Sequence, residues 1–311
     1  MSDNRFVNAL AGYRGHLLAL IAGALMPLAF SPFGLFPLAV LLIAALFLLC
    51  GCVTPRQAAL RGLLFGTGMF GFGVTWIYIS IHVYGYVNAP LSLFITALLV
   101  MVLALFPAFF SYFAARNHRC FADPLLLIAF YPALWVLFEW VRGWFFTGFP
   151  WLSLGYSQTD SPLAGYAPLL GVYGVSWIVA LSAGLLLVAL LNRVKKLRLC
   201  SVLALAILWG GGALGNLLEW GEPVGEPITV SIIQGNISQD IKWLPEMRQP
   251  TLDLYAKLTR EHWDSDLIIW PESALPSFYH RAEGFIDTLA QEARAHDTDI
   301  LLGVLSLRKN P

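Results

Sequence analysis

Long runs of apolar residues fill roughly the first two thirds of the chain, and shorter apolar runs alternate with polar ones in the last third. A helix needs about 20 mostly apolar residues to cross a bilayer, so the long runs predict seven membrane spans. These spans are residues 17–30, 35–51, 60–81, 91–115, 124–140, 168–191 and 199–218. Gly62 and Gly66, four positions apart in the third span, predict a close approach between two helices.

After a linker rich in glycine, glutamate and proline, the pattern changes to strands and amphipathic helices. β-branched residues predict a strand over residues 228–233, and apolar positions at helical spacing predict a helix over 245–262. Residues 267–270 form an unbroken apolar run, which is typical of a strand buried on both faces. A second helix is predicted over 282–296 and a third strand over 299–307. This βαβαβ order predicts a layered α/β or α+β sheet domain.

The composition supports the same division. Apolar residues make up 58% of the chain and charged residues 12%, about half the charged share of a soluble domain. The first 220 residues carry 11 of the 19 Lys and Arg but only five of the 19 acids. The shift near Trp220 predicts a membrane domain over 1–220 and a second domain over 221–311. The net charge is zero, which gives no signal for nucleic-acid binding.

Basic residues are distributed unevenly among the predicted loops. Ten lie in one set of loops and only Arg142 in the opposite set, and the more basic loops face the cytoplasm. The ten are Arg5, Arg14, Arg56, Arg61, Arg116, Arg119, Arg193, Lys195, Lys196 and Arg198. The N-terminus is therefore predicted in the cytoplasm. Seven crossings then place residues 221–311 outside, in the periplasm if the cell has two membranes.

The segment 139–166 joins two spans but lacks a helical pattern. It holds Trp144 and Trp151 among glycines and a proline, so irregular backbone is predicted near the membrane surface. Such backbone is tolerated only where protein or a cavity covers it. Two interpretations stay open, namely an aromatic belt at the interface and an entrance for a lipid headgroup or acyl chain. Glu139 and Arg142 are ionisable groups beside the membrane, and Arg142 and Trp151 are candidate substrate contacts under the second interpretation.

One carboxylate follows the predicted strand 267–270. Pro271 cannot donate to a sheet ladder and ends the strand, so Glu272 lies just past its carboxyl end. Ligands and reacting groups of open α/β sheets gather at that edge. A solvated loop glutamate is the common case for such a position, and a catalytic carboxylate is the functional alternative.

Motifs in both halves of the chain resemble one protein family. In the last third, Gln234-Gly235-Asn236 and Trp270-Pro271-Glu272 resemble the nitrilase or carbon–nitrogen hydrolase superfamily, and Lys242-Trp243 follows the first of these motifs. Those of the membrane half are Ser31-Pro32-Phe33-Gly34, Glu139-Trp140-Val141-Arg142-Gly143, Gly148-Phe149-Pro150-Trp151 and Gly155-Tyr156. Together they make the whole chain similar to bacterial apolipoprotein N-acyltransferases. The resemblance implies a multi-pass α-helical membrane domain in the bacterial inner membrane. A periplasmic α+β nitrilase-like domain, an α-β-β-α sandwich, would follow it.

The resemblance also implies a reaction. A phospholipid, typically phosphatidylethanolamine, gives its sn-1 acyl chain to an enzyme cysteine as a thioester. The α-amino group of the diacylglyceryl-cysteine of an apolipoprotein then takes the chain. Glu272 matches the family's catalytic glutamate, which acts as a general base, and Trp243 and Gln234 match positions expected to handle substrate. The resemblance implies no metal and no cofactor, and we expect a monomer.

The family's triad also needs a lysine and a cysteine, and here the sequence departs from the pattern. All four cysteines lie before residue 221, near cytoplasmic ends of predicted spans and about one bilayer core, or 30 Å, from Glu272. The lysine and cysteine motifs are expected beyond Pro311, so residues 1–311 alone are predicted to be a truncated and inactive portion. Two other interpretations stay open, namely a membrane-tethered amidase or nitrilase that uses water and a transporter with a soluble cap.

Overall fold

A computed structural model describes residues 12–51, 53–116 and 123–307. The chain forms two compact units, Met1–Gly221 and Glu222–Pro311. The first is helical, and the second carries a small parallel sheet and two α-helices within its described residues. Some residues used in the sequence predictions lie outside the described ranges, namely Arg5, Arg119, Cys52 and Cys120.

Helices of the first unit follow the predicted spans. In its described part the α-helices are α1 (Tyr13–Leu25), α2 (Pro37–Cys50), α3 (Pro55–Gly73), α4 (Trp76–Ile79), α5 (Ala89–Arg116), α6 (Tyr131–Arg142), α7 (Ala167–Leu191) and α8 (Lys195–Gly215). Short 3₁₀ and π turns occupy Met26–Ala29, Ser80–Tyr84, Leu126–Phe130, Phe145–Thr147, Leu154–Gln158 and Pro162–Tyr166. Each predicted span overlaps at least one of these α-helices.

The described helices differ in their capacity to cross a membrane. Three segments are long and apolar enough, namely Ala89–Arg116, Pro162–Leu191 and Lys195–Gly215. The pair Pro55–Gly73 and Trp76–Tyr84 makes a fourth if its two parts, bent by 51°, count as one span. The apolar segments Tyr13–Ala29 and Pro37–Cys50 are shorter. The first unit is therefore consistent with a membrane domain, while the seven-span topology stays a prediction.

Two glycines bring α3 against α5. A Cβ atom on Gly62 would lie 2.2 Å from the carbonyl oxygen of Pro107, and one on Gly66 would lie 2.7 Å from the Cα of Ala104. Either contact is closer than real Cβ atoms allow, so a larger residue would separate the helices. The close packing predicted from this glycine pair is confirmed.

The second unit is built around three parallel strands. The strands are β1 (Val230–Ile232), β2 (Leu267–Ile269) and β3 (Asp299–Leu301), and the helices are α9 (Arg248–Arg260) and α10 (Tyr279–Ala295). The sheet order is β1-β2-β3 with both pairs parallel, so the predicted βαβαβ order is confirmed. The third strand is shorter than predicted. Beyond β3, the described residues up to 307 pair only at one isolated bridge, between Phe278 and Leu305.

The two faces of this sheet differ. Ile268 of the central strand is fully buried in a core with Leu252 of α9 and Leu289 of α10. The neighbouring row of side chains points to the opposite face of the sheet and includes Ile232 and Leu301. Both of these side chains are exposed, Ile232 by 76%. Parallel sheets in known folds are covered on both faces. The exposed apolar face is therefore typical of a sheet surface that a second layer of secondary structure covers.

Candidate functional site

Glu272 lies in a tight turn that directly follows the central strand. Trp270 is 3% exposed, and its backbone N–H donates to a carbonyl oxygen of β3 over 2.9 Å. Pro271 then ends the ladder, and its carbonyl accepts from the N–H of Ala274 over 3.1 Å. Ser273 has φ 52°, a left-handed conformation that non-glycine residues rarely adopt. The turn thus holds Glu272 at the surface, where its side chain is exposed.

A second turn follows the neighbouring strand. Ile233 still donates to the carbonyl of Ile269 over 2.9 Å, and the chain then leaves the sheet through Gln234 and Asn236. Both of these side chains are exposed, and Asn236 has φ 50°. Because β1 and β2 are adjacent and parallel, Gln234 and Glu272 lie at the same carboxyl edge of the sheet. That edge is where open α/β sheets bind ligands.

Trp243 lies in the connection between β1 and α9. Backbone bonds from Lys242 to Ser238 (3.1 Å) and from Leu244 to Ile241 (3.0 Å) order this stretch. The indole itself is 52% exposed. A core tryptophan is rarely so accessible, so the ring is available to a ligand.

In the first unit, Arg142 ends α6 and points into the protein. It is 3% exposed, and its guanidinium donates to the carbonyls of Phe149 (3.4 Å) and Trp151 and to the hydroxyl of Ser153 (3.2 Å). Its central carbon also lies 5.2 Å from the ring centre of Phe70, a cation–π distance. Arg142 therefore ties the loop after α6 to that helix, and its charge is not at the surface.

Glu139, one turn before Arg142, is equally buried. Its Oε1 accepts from the indole N–H of Trp135 (2.9 Å) and from the backbone N–H of Leu154 (2.8 Å). Its Oε2 is buried and has no hydrogen-bond partner among the described residues. Glu139 and Arg142 both line a cavity of about 20 Å³ whose other walls are apolar or aromatic. The two side chains thus lie beside one small cavity and hold residues 149–154 of the loop against α6.

The same loop presents aromatic side chains outward. It turns through Phe146 and Thr147 with φ 50° and 76°, and Phe146 is 82% exposed. Trp151 is half exposed, its indole N–H donates to the carbonyl of Gly73 at the end of α3 (3.1 Å), and its ring lies 5.3 Å from that of Trp76. We call the exposed side chains at this end of the first unit the aromatic rim, defined as Trp76, Trp144, Phe145, Phe146 and Trp151.

The sequence pattern did not identify the structural roles of two residues around this loop, Glu139 and Trp76. Glu139 was recognised only as an ionisable group, although Trp135, Glu139 and Arg142 recur at helical spacing and so share one face of α6. That spacing was the available signal. Trp76 gave no signal, because its contact with Trp151 joins residues far apart in the sequence.

Neither described cysteine belongs to the second unit. Cys50 is buried at the end of α2 and Cys200 is exposed on α8. Over residues 12–51, 53–116 and 123–307, no three His, Cys, Asp or Glu side chains come together in a group that could hold a metal ion.

Comparison with known proteins places these features in one family. The apolipoprotein N-acyltransferase N-terminal domain matches residues 22–185. An apolipoprotein N-acyltransferase of Methylococcus capsulatus is 46% identical over 290 residues, covering 93% of this chain and 57% of the relative. Those of Coxiella burnetii and Vibrio cholerae are 42% and 40% identical, over 93% of this chain and 59% and 57% of their own lengths. The chain thus spans less than two thirds of these curated relatives.

Proposed function

Because this chain belongs to the apolipoprotein N-acyltransferase family, we propose that it serves the transfer of an acyl chain from a phospholipid to the N-terminus of a lipoprotein. The donor is the sn-1 chain of a phospholipid such as phosphatidylethanolamine. The acceptor is the α-amino group of a diacylglyceryl-cysteine. The position of Glu272 at the carboxyl edge of the sheet is the observation that carries this proposal, because it leaves a carboxylate accessible where reacting groups gather.

Glu272 serves as the general base in both half-reactions. It accepts the proton of a cysteine thiol as the sulfur attacks the ester carbonyl, and it returns that proton to the oxygen of the departing lysophospholipid. In the second half it accepts a proton from the attacking amine and returns it to the sulfur as the thioester breaks. Residues 222–311 contain no cysteine, and the thioester is assigned to the cysteine of the family's triad.

A nitrilase-like fold is proposed for the second unit. The sheet has α9 and α10 on its buried face and an apolar, exposed row through Ile232 and Leu301 on the other. In an α-β-β-α sandwich a second sheet covers that row. Sheet-on-sheet packing satisfies the requirement that a parallel sheet be covered on both faces.

The proposed location is the bacterial inner membrane, with a membrane domain over 1–220 and a periplasmic domain over 221–311. The basic loops support this orientation. Gln234 and Trp243 are proposed to contact substrate directly, since both are exposed. The aromatic rim, with Trp151, is proposed to face lipid at the interface, and Arg142 is proposed to act by holding the rim in place. The protein is proposed to act as a monomer.

Complementation tests the proposal. The whole protein, including the lysine and cysteine of the family's triad, is expressed in bacteria depleted of their own apolipoprotein N-acyltransferase, and lipoprotein N-termini are analysed by mass spectrometry. We expect triacylated N-termini with the wild-type gene. Glu272→Gln keeps the size of the side chain and removes the base, so we expect a rate about 10²–10⁴-fold lower.

The matched control is Glu283→Gln, which changes an exposed carboxylate on α10 and should leave triacylation unchanged. Lipoproteins that stay diacylated with the wild-type gene would contradict the proposed transfer. Release of free fatty acid without N-acylation would instead favour a hydrolase that uses water. Full activity of Glu272→Gln would refute the role of Glu272 as base.

A further inference from the structure

A buried aromatic pair lies behind the two turns at the edge of the sheet. Trp270 immediately precedes Pro271 and Glu272, and its ring lies 4.9 Å from that of Tyr255 on α9, tilted by 33°. Both side chains are at least 95% buried. Offset pairs at this separation attract beyond their buried area. The end of β2 is therefore joined to α9 directly behind the Glu272 turn.

Tyr255 also contacts the other turn. A Cβ atom on Gly235 would lie 2.7 Å from Cζ and 2.8 Å from the hydroxyl oxygen of Tyr255. Gly235 stands between Gln234 and Asn236, so the absence of a side chain lets this turn rest against the Tyr255 ring. The Tyr255 ring thus contacts one turn at Gly235 and, on its other side, contacts Trp270, the residue that leads into the Glu272 turn.

A single hydrogen bond fixes the orientation of the pair. The indole N–H of Trp270 donates to the hydroxyl of Thr259 over 2.9 Å, and Thr259 is fully buried one turn after Tyr255 on α9. A buried indole N–H without a partner is costly, so this bond selects one orientation of the Trp270 ring. Both turns contain a non-glycine residue at positive φ, Asn236 and Ser273. Such residues persist only where their surroundings hold them.

We propose that Tyr255 and Trp270, oriented by Thr259, form a positioning stack that fixes the Gln234–Asn236 and Glu272 turns relative to each other. None of the three side chains touches substrate. They act by holding the general base and the facing turn at the separation that the reaction needs. This inference rests on the proposed function of Glu272, but the rigidity of the two turns can be measured without it.

Two matched pairs of variants test the stack in the whole protein, including the lysine and cysteine of the family's triad, purified in detergent. Thr259→Val keeps the side-chain shape and removes the hydrogen bond, whereas Thr259→Ser retains the hydroxyl. Gly235→Ala forces a methyl group against Tyr255, whereas Gly284→Ala adds a methyl group on α10 where no heavy atom lies within 4 Å.

The first readout is hydrogen exchange of the backbone. Thr259→Val and Gly235→Ala should each raise exchange at both turns, residues 234–237 and 271–275, while Thr259→Ser and Gly284→Ala should not. The second readout is the rate of thioester formation from phosphatidylethanolamine labelled in the sn-1 chain. A misplacement of about 1 Å can cost up to about 10²-fold in rate. We expect a loss of about 10- to 100-fold in kcat for the two disruptive variants, with KM for the lipid little changed.

Exchange that rises at only one turn, or at neither, would overturn the stack. So would a rate per folded molecule within twofold of wild type for both disruptive variants. Failure of the proposed function gives a different result. A fully active Glu272→Gln would remove the base assignment, while coupled exchange at the two turns would still establish the stack as a structural device.

Discussion

The guanidinium of Arg142 faces carbonyl groups of its own chain in place of solvent. A buried charge is costly unless it is paired and hydrogen-bonded. Here the loop carbonyls, the hydroxyl of Ser153 and the ring of Phe70 supply those contacts. Arginine suits this position because its guanidinium holds five N–H donors in a rigid planar fork, whereas the ammonium of lysine carries three on a flexible stem.

Arg142→Met should therefore destabilise the first unit. The substitution keeps most of the apolar length but removes the donors to the acceptors of Phe149, Trp151 and Ser153, at a cost of about 1–3 kcal/mol for each buried acceptor left unsatisfied. Thermal unfolding in detergent and protease cleavage within the loop measure the effect. Arg56→Met, at an exposed site on α3, is the control and should change stability by no more than about 0.5 kcal/mol. Equal unfolding temperatures for the two variants would show that the buried contacts contribute little.

Two tryptophans of the second unit should respond in opposite ways to truncation. Trp270→Ala removes a buried ring and should cost about 3–5 kcal/mol. Trp243→Ala removes a ring that is about half exposed, so stability should stay near wild type while acyl transfer falls. Thermal unfolding and N-acylation assays separate the two effects. If Trp243→Ala lowers the unfolding temperature as much as Trp270→Ala, the ring belongs to the core and not to a substrate surface.

The positions of Glu272 and Gln234 could be predicted because a strand end is a local property of the sequence. Pro271 breaks the ladder wherever the strand lies, and adjacent parallel strands end at one edge. The inward direction of Arg142 could not be predicted. It depends on a loop that reverses direction through positive φ angles at Phe146 and Thr147. Apart from its glycines, no residue type in that loop favours a positive φ angle.

At the scale of elements, one ion pair joins the two helices of the second unit. Arg260 of α9 donates from Nε and Nη2 to the two carboxylate oxygens of Glu292 on α10, over 2.7 Å each. This hydrogen bonding lowers the pKa of Glu292 and raises that of Arg260. The side chains are 52% and 30% exposed, so solvent screening limits the bridge to about 0–1 kcal/mol.

The sign of the pH dependence follows from the lowered pKa. The bridge stabilises the folded unit fully above the pKa of Glu292 in the unfolded chain, near 4.5. That contribution is lost as pH falls through the lower folded-state pKa. Unfolding temperatures measured from pH 3 to pH 6 should therefore fall less steeply for Glu292→Gln than for wild type. Parallel curves would mean that the bridge contributes nothing measurable.

Helix existence was predictable from apolar runs, but helix shape was not. Residues 60–81 were predicted as one span, whereas the structure bends by 51° between α3 and α4. Trp151 donates to the carbonyl of Gly73 at this bend, and the Leu152 side chain lies 2.3 Å from where a Gly73 Cβ would be. The bend thus depends on residues far along the chain, which no local pattern reveals.

For the whole molecule, the change in charge near Trp220 lies close to the boundary between the compact units at Gly221 and Glu222. Composition reveals this boundary because lipid and water demand different side chains. The second layer of the proposed sandwich could not be predicted from composition. The exposed row through Ile232 and Leu301 indicates that a cover is needed, but the pattern does not identify it.

Reporter fusions test the proposed orientation of the chain. A fusion after Arg198 should report the cytoplasm and a fusion after Glu226 the periplasm, because the basic loops favour the cytoplasmic side. Alkaline phosphatase and green fluorescent protein give opposite signals in the two compartments. A cytoplasmic signal after Glu226 would mean that the number of spans is wrong by one, with the short run at residues 17–30 the first to be re-examined.

The bond between Trp151 and Gly73 also sets an order of events during synthesis. Its partners are 78 residues apart, so α3 and α4 leave the ribosome before Trp151 has been made. We expect this pair to enter the translocon as one straight segment and to bend only after the loop emerges. Cysteine pairs placed across the bend should cross-link differently in ribosome-stalled chains that end before and well after residue 151. A bend already present in the shorter chains would show that it forms without Trp151. If the shorter chains are straight, the bend forms only after Trp151 has been translated, well after the helix itself.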